Sequence, residues 1–394
     1  MGRAAFDFPP SVPPSLVLIG AMGSRPPHAV TRRRSAAVTA IRCIAANFSL
    51  FAWFMLVSVP RVLHVDPQAP DPKAIAEAAA ALAKGELVAF PTETVYGLGA
   101  CGLDTAHVAR IFAAKGRPRA HPLILHVPDV AMAETLASHL SSRARALAEA
   151  FWPGPLTLVV PRTPRVPDAV TGGLDTVAVR APRHPVALAL IRAVGQPLAA
   201  PSANAHMHVS PSRAEHVVAS LGDNVAIVLD GGPTDHGIES TVVDTTVDPP
   251  RVLRPGALSL EALRAVVPEI RYEATTVNAS DEARAAPGMA AKHYAPRSRL
   301  VVVPTGEDVV AAASAAGARV GIVVWSDGAQ SRMKEAAWTF ARVLPSTPEG
   351  YARSLFAALY DLDDAGCEVA FVEGVPDAPG WWAVADRLRR ASHR

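Results

Sequence analysis

Leu87-Val88-Ala89-Phe90-Pro91-Thr92-Glu93-Thr94-Val95-Tyr96-Gly97-Leu98-Gly99 and, about twenty residues on, Lys115-Gly116-Arg117-Pro118 are the two stretches on which the fold turns. An apolar run suited to a strand passes into a turn of hydroxyls and glycines. Apolar residues then recur with helical spacing from Asp104 to Ala114, with Asp104 placed to cap the start and Gly116 to end it. Two cations leave that helix two positions apart. In an extended chain residues two apart share a face, so Lys115 and Arg117 are expected to reach one phosphate group. A strand, a polar turn and a helix arranged this way can hold a phosphate beside a small polar substrate.

Outward from this unit the same alternation continues. Strands are expected at Glu86–Phe90, Leu123–Val127, Leu156–Val160, Thr176–Arg180 and Ala226–Leu229, and helices at Ala74–Ala83, Asp104–Ala114, Arg143–Phe151, Pro185–Val194 and Pro211–Ser220. That pattern predicts α/β layering. Residues 274–297, rich in Ala, Ser, Asp and Glu before Pro287-Gly288-Met289, read as a linker. Beyond it, strands at Leu300–Val303, Arg319–Trp325 and Glu368–Glu373 with helices at Asp308–Ala315, Gly350–Asp364 and Ala383–Ala391 predict a second, smaller α/β domain over 298–394, after a first domain over 65–273.

Composition narrows the function. The chain has 394 residues, half of them hydrophobic, enough for two modest cores. Its net charge is +2, but the first 54 residues carry six arginines and one acid, which leaves the remainder slightly acidic. Such a body is a poor electrostatic partner for long nucleic acid, so stable nucleic-acid binding is not expected. Cys43, Cys101 and Cys367 lack the spacing of a zinc cluster or a disulfide framework, which suits a reducing, cytoplasmic setting. Residues 1–64 form an N-terminal extension. Arg32-Arg33-Arg34 and the uncharged run 43–59 allow a targeting segment or membrane anchor, or else an overlong gene start with translation beginning near Met55. The rest of the chain needs neither, and membrane attachment is not expected.

The order of four motifs carries a resemblance. Phe90-Pro91-Thr92-Glu93-Thr94-Val95-Tyr96-Gly97-Leu98-Gly99, Lys115-Gly116-Arg117-Pro118, Pro201-Ser202-Ala203-Asn204 and Glu239-Ser240-Thr241-Val242-Val243-Asp244 resemble the Sua5/YciO/YrdC family in sequence and order, from about Val65 to Arg254 and more weakly beyond. The length resembles the long Sua5 type. This implies a twisted open-sheet YrdC-like domain followed by a smaller α/β Sua5-type domain. It also implies condensation of L-threonine, bicarbonate and ATP into threonylcarbamoyl-AMP and pyrophosphate, the opening step of the t6A37 modification of tRNA. The product would pass to the tRNA threonylcarbamoyltransferase complex. Mg²⁺ is expected on the ATP phosphates, and no protein metal site is expected.

By the same resemblance, Thr94, His126, Arg180, the backbone at Ala200, and Ser240 form the threonine side. Arg180 is the natural partner of the substrate carboxylate. His126, interrupting an apolar strand, reads either as a satisfied core histidine or as a ligand contact, and its motif favours the contact. The ATP side takes Arg117, His121, Thr176, Ser202, Ser210, Arg254 and Tyr294, joined by Lys115 and Asn204. Arginine forks at Arg117 and Arg254 suit phosphate oxygens better than lysine does. Tyr294 lies in Lys292-His293-Tyr294, which resembles a family segment folded over the nucleotide as a lid.

Two departures stand out. His206-Met207 replaces the family's usual Ser-Gly, so the loop carrying Ser210 is expected to take another path. Asp386 stands where asparagine is common in the closing segment. Three other classes fit the sequence less well. A nucleic-acid module conflicts with the acidic body. A carbamoyl-phosphate-dependent transferase of the same fold would carry zinc-finger and acylphosphatase segments that this sequence lacks. A membrane-tethered regulator would require residues 43–59 to be inserted.

Overall fold

Val88 and Phe90 face one hydrophobic core while Ala89 between them faces another, the period-2 arrangement of a strand covered on both sides. The structure, a computed structural model, describes residues 60–273, 292–317 and 319–393. The expectations for residues 1–59 and for the linker over 274–291 lie outside them. The larger sheet contains β1 (Arg61–His64), β2 (Val88–Phe90), β3 (Gly97–Cys101), β4 (Ile124–His126), β5 (Leu156–Pro161), β6 (Thr176–Arg180), β7 (Leu198–Ala199), β8 (Ile227–Asp230), β9 (Thr241–Asp244), β10 (Arg251–Arg254) and β11 (Arg271–Tyr272). Their order is β1-β8-β2-β3-β7-β4-β6-β5-β9-β10-β11, with parallel and antiparallel pairs mixed.

Most expected elements lie within two residues of their positions, and Thr176–Arg180 and Pro185–Val194 coincide with them. Asp104 accepts from the Ala106 and His107 amides, and Gly116 closes the helix Thr105–Lys115 in the left-handed conformation at φ +61°. The helix expected from Pro211 starts at Ala214, because the Pro211 carbonyl is held by the Tyr96 amide at 2.8 Å. β3 was not expected. Its glycines lower strand propensity, but a Cβ at Gly99 would lie 2.8 Å from the Phe90 ring, so close packing against β2 explains at least that glycine.

The second sheet is parallel throughout, with β12 (Arg299–Val303), β13 (Val320–Val324), β14 (Phe340–Val343) and β15 (Val369–Glu373) in the order β12-β15-β13-β14. β14 and the helix Asp327–Met333 add to the expected elements. The described residues belong to one compact unit. Val95, Val209 and Ile238 of the first part share a single core with Tyr351, Phe356 and Trp381 of the second, and Tyr294 lies among them. No helix among the described residues is long and apolar enough to cross a membrane.

Candidate active site

Strand register assembles the site. β4 and β6 run parallel with His126 opposite Arg180, so both side chains reach the same end of the sheet. On these strands Ile124 and Ala178 lie two residues before them, on the same face, and pack with Val242 two residues after Ser240. The alternation therefore places His126, Arg180 and Ser240 together above a small apolar floor. Around them a chamber is closed by Thr92, Thr94, Arg117, Ala200, Ser202, Glu239, Arg254, His293 and Tyr294. Gly256 draws the chain after β10 against Glu239 and Ser240, where a Cβ would lie 2.4 Å from backbone atoms.

The chamber is dominated by buried cations. Arg117 follows the helix stop, is 7% exposed, and donates from Nη2 to the Pro122 carbonyl at 3.1 Å. Burial lowers its pKa to about 10, so it stays charged at neutral pH. Arg254, also buried, donates from Nη2 to the Ser240 carbonyl at 2.9 Å. Burial and the neighbouring Arg180 lower the His126 pKa to about 3, which keeps that imidazole neutral. Arg117 Nε, His126 Nδ1, His293 Nδ1 and the Tyr294 hydroxyl are all buried, and none has a hydrogen-bond partner among the described residues. Buried polar atoms normally have partners, so this set marks a place for a polar ligand.

The remaining site residues fall into two groups. Thr94, His126, Arg180, Ala200 and Ser240 all line the chamber, as do Arg117, Ser202, Arg254 and Tyr294. Lys115, His121, Thr176, Asn204 and Ser210 lie outside its lining. Lys115 ends the helix before the chain reverses at Gly116, so it does not share a face with Arg117. Its ammonium donates to the Ser202 carbonyl at 2.5 Å and to the Asn204 carbonyl, which ties the loop to the helix. Asn204 braces that loop from within by donating to the carbonyls of Ala205 and His208. The His121 ring is 5.4 Å from that of His206. Ser210 donates to Glu239 Oε1 at 2.5 Å. Thr176 is half-buried on the same face as Arg180, about 13 Å earlier along β6 at roughly 3.3 Å per residue.

Arg180 has a partner that sequence reading missed. Glu93, 1% exposed, approaches Arg180 Nη2 to 2.9 Å without the alignment of a hydrogen bond. Burial opposes its charge, yet the Arg180 cation prevails and holds its pKa below the usual value. Glu239 and His293 were missed as well, although both stand inside quoted motifs. Met207 has φ +69°, the region glycine enters without strain, so a residue with a side chain makes the turn ahead of Ser210. Ser210 remains buried behind that turn.

A family model described as telomere recombination, Sua5/YciO/YrdC, matches residues 80–256, and one described as the threonylcarbamoyl-AMP synthase C-terminal domain matches 258–393. The chain is 44% identical to the threonylcarbamoyl-AMP synthase of Pyrococcus abyssi over 80% of its own length and 93% of that protein. It is 39% identical to that of Bacillus subtilis over 86% and 97%. The crystal structure of P. abyssi Sua5 complexed with L-threonine superposes with a TM-score of 0.77 at 42% identity, covering 84% of this chain and 97% of that one. Likeness of this extent spans both sheets and the residues that line the chamber, and it places the chain in the Sua5 family of threonylcarbamoyl-AMP synthases.

Proposed function

We propose that the chamber binds ATP and L-threonine side by side and joins them, with bicarbonate, into threonylcarbamoyl-AMP. The observation that supports this best is the coincidence of two buried arginine forks with unpartnered polar atoms on Arg117, His126, His293 and Tyr294. The threonine amine attacks the bicarbonate carbon, and as the N–C bond forms a C–O bond breaks, the amine proton and the hydroxyl leaving together as water. A carboxylate oxygen of the N-carboxythreonine then attacks the α-phosphorus, and the bond to pyrophosphate breaks. Little covalent help is needed, because orientation and charge neutralisation supply most of the acceleration. Arg117 and Arg254 hold phosphate oxygens, and Ser202 offers a hydroxyl beside them. Asn204 and Lys115 fix the loop that presents Ser202. Thr94, His126, the Ala200 backbone and Ser240 fix the threonine.

The Glu93 partner changes the role of Arg180. Because one side of its guanidinium is already set by a carboxylate, Arg180 reaches the substrate carboxylate pre-oriented, at lower entropic cost. Among the described residues no group of three His, Cys, Asp or Glu side chains is set to hold a metal ion. Mg²⁺ travels with the ATP phosphates and supplies further charge neutralisation there. Described residues 292–297 belong to a linker that closes over the nucleotide between domains at 65–273 and 298–394. The product leaves for the tRNA threonylcarbamoyltransferase complex in the cytoplasm, without tRNA being retained. The test is to incubate the purified chain with ATP, L-threonine, bicarbonate and Mg²⁺ and to follow pyrophosphate and the adenylate by mass. Absence of threonine-dependent pyrophosphate release would overturn the reading.

A further inference from the structure

The last helix, Trp382–Ala391, carries arginines at 387, 389 and 390, a spacing that suits a solvated face. Two of the three are instead buried. Arg387 is 0% exposed, and its guanidinium meets groups of the other part of the molecule. Nε donates to Glu239 Oε2 at 2.8 Å, and Nη1 donates to the Pro255 carbonyl at 2.9 Å and to Asp386 Oδ2 at 3.1 Å. Its central carbon lies 5.0 Å from the Tyr294 ring centroid, in a cation–π arrangement. Glu239 lines the chamber, and its other oxygen accepts from Ser210. A single guanidinium thus touches the wall carboxylate, the segment leading to Gly256 and the aromatic ring that closes the chamber.

Charge gives this contact its meaning. A polyanion entering beside Arg117 and Arg254 would be repelled by a bare Glu239 carboxylate in the same wall, and a buried carboxylate without a partner is itself costly. We propose that Arg387 is a positioning residue for the nucleotide: brought in by the C-terminal helix, it cancels the Glu239 charge and seats Tyr294, so the ATP wall is complete only when that helix is docked. Asp386 holds Arg387 in turn and bridges to Arg390 Nε at 3.0 Å through both oxygens. An asparagine there could orient the arginines but not balance their charge.

The proposal rests on the chamber being the ATP site, and the test separates the two. KM for ATP, KM for threonine, kcat for pyrophosphate release and melting temperature are measured for Arg387→Met, Arg387→Lys, the double variant Glu239→Gln/Arg387→Met, and Arg117→Ala. Arg387→Met should raise the ATP KM about tenfold or more, with the threonine KM within about twofold, because the exposed carboxylate opposes only the polyanion. The double variant, with no charge left on either residue, should return the ATP KM to within about threefold of the wild type even where its melting temperature stays low. Arg387→Lys, which keeps the charge without the fork, should stay within about fivefold. A lowered melting temperature with an unchanged ATP KM in Arg387→Met would reduce the residue to a structural tie and overturn the proposal. So would a double variant no better than Arg387→Met. If Arg387→Met does not fold, the other two decide: an ATP KM raised tenfold or more in either is the refuting result. Near wild-type pyrophosphate release together with an unchanged ATP KM in a folded Arg117→Ala would refute the site assignment itself. An impaired Arg117→Ala with an unchanged ATP KM in Arg387→Met would refute only the role of Arg387.

Discussion

Arg117 and Lys115 stand two positions apart and are both buried, yet the reversal at Gly116 gives them different duties. The lysine spends its donors on two loop carbonyls, whereas the arginine keeps Nε without a partner beside the chamber. Arg117→Ala should therefore leave the fold intact and cut adenylate formation by on the order of a hundredfold or more, as for loss of a charge-assisted transition-state contact. Pyrophosphate release checks this, and near wild-type turnover in a folded variant would refute it. Selectivity belongs to the same scale. Threonine and serine differ by one methyl, which a pocket converts into about 1 to 3 kcal/mol, so serine should be used about 10- to 200-fold less efficiently. Competing the two amino acids for ATP measures the ratio, and rejection by about 10⁴-fold or more would mean that something other than the methyl pocket decides.

Elements determine which of these residues meet. Register between β4 and β6 sets His126 against Arg180, and the apolar floor beneath them follows from the same alternation. The loop carrying Ser210 is held at two adjacent residues, Ser210 by Glu239 and Val209 by Tyr360, whose hydroxyl donates to the Val209 carbonyl at 2.8 Å. Tyr360, in the helix Pro348–Asp364, stacks at 3.9 Å on His216 of the helix Ala214–Leu221. His216 Nδ1 accepts the Ser212 amide, and burial lowers its pKa to about 4. The unfolded chain takes up this proton near the ordinary histidine value of about 6.5 and the folded one does not. The contribution is thus complete above about pH 6.5 and is lost as pH falls toward 4. Melting temperature should drop across that window, less steeply in His216→Phe, which keeps the stacked ring but cannot bind the proton. Equal slopes for the two proteins would refute this assignment.

At the scale of the whole molecule, Tyr294 ties the chamber to the second sheet. It sits at φ +62°, unusual for a residue with a side chain, with its ring 5.7 Å from Phe356 and beneath Arg387. Tyr294→Ala should let water reach an easily hydrolysed carbamoyl-adenylate, so that more ATP is consumed per adenylate captured. The ratio of pyrophosphate to adenylate measures this coupling, and an unchanged ratio with unchanged ATP affinity would show the linker to be a tether only. The sequence by itself determined the α/β alternation and the capped helix before Gly116, because each rests on local spacing or a short turn, while Arg117, His126, Arg180, Ser202, Ser240 and Arg254 were legible as site residues through the family resemblance their motifs carry. It could not separate Lys115 from Arg117, since that depends on where the chain goes after Gly116. It could not show that Glu93 pairs with Arg180, nor that an arginine 148 residues after Glu239 is buried against it. Those pairings join residues distant along the chain, and once packing removes water from both partners, each charge is tolerated only because the other lies against it.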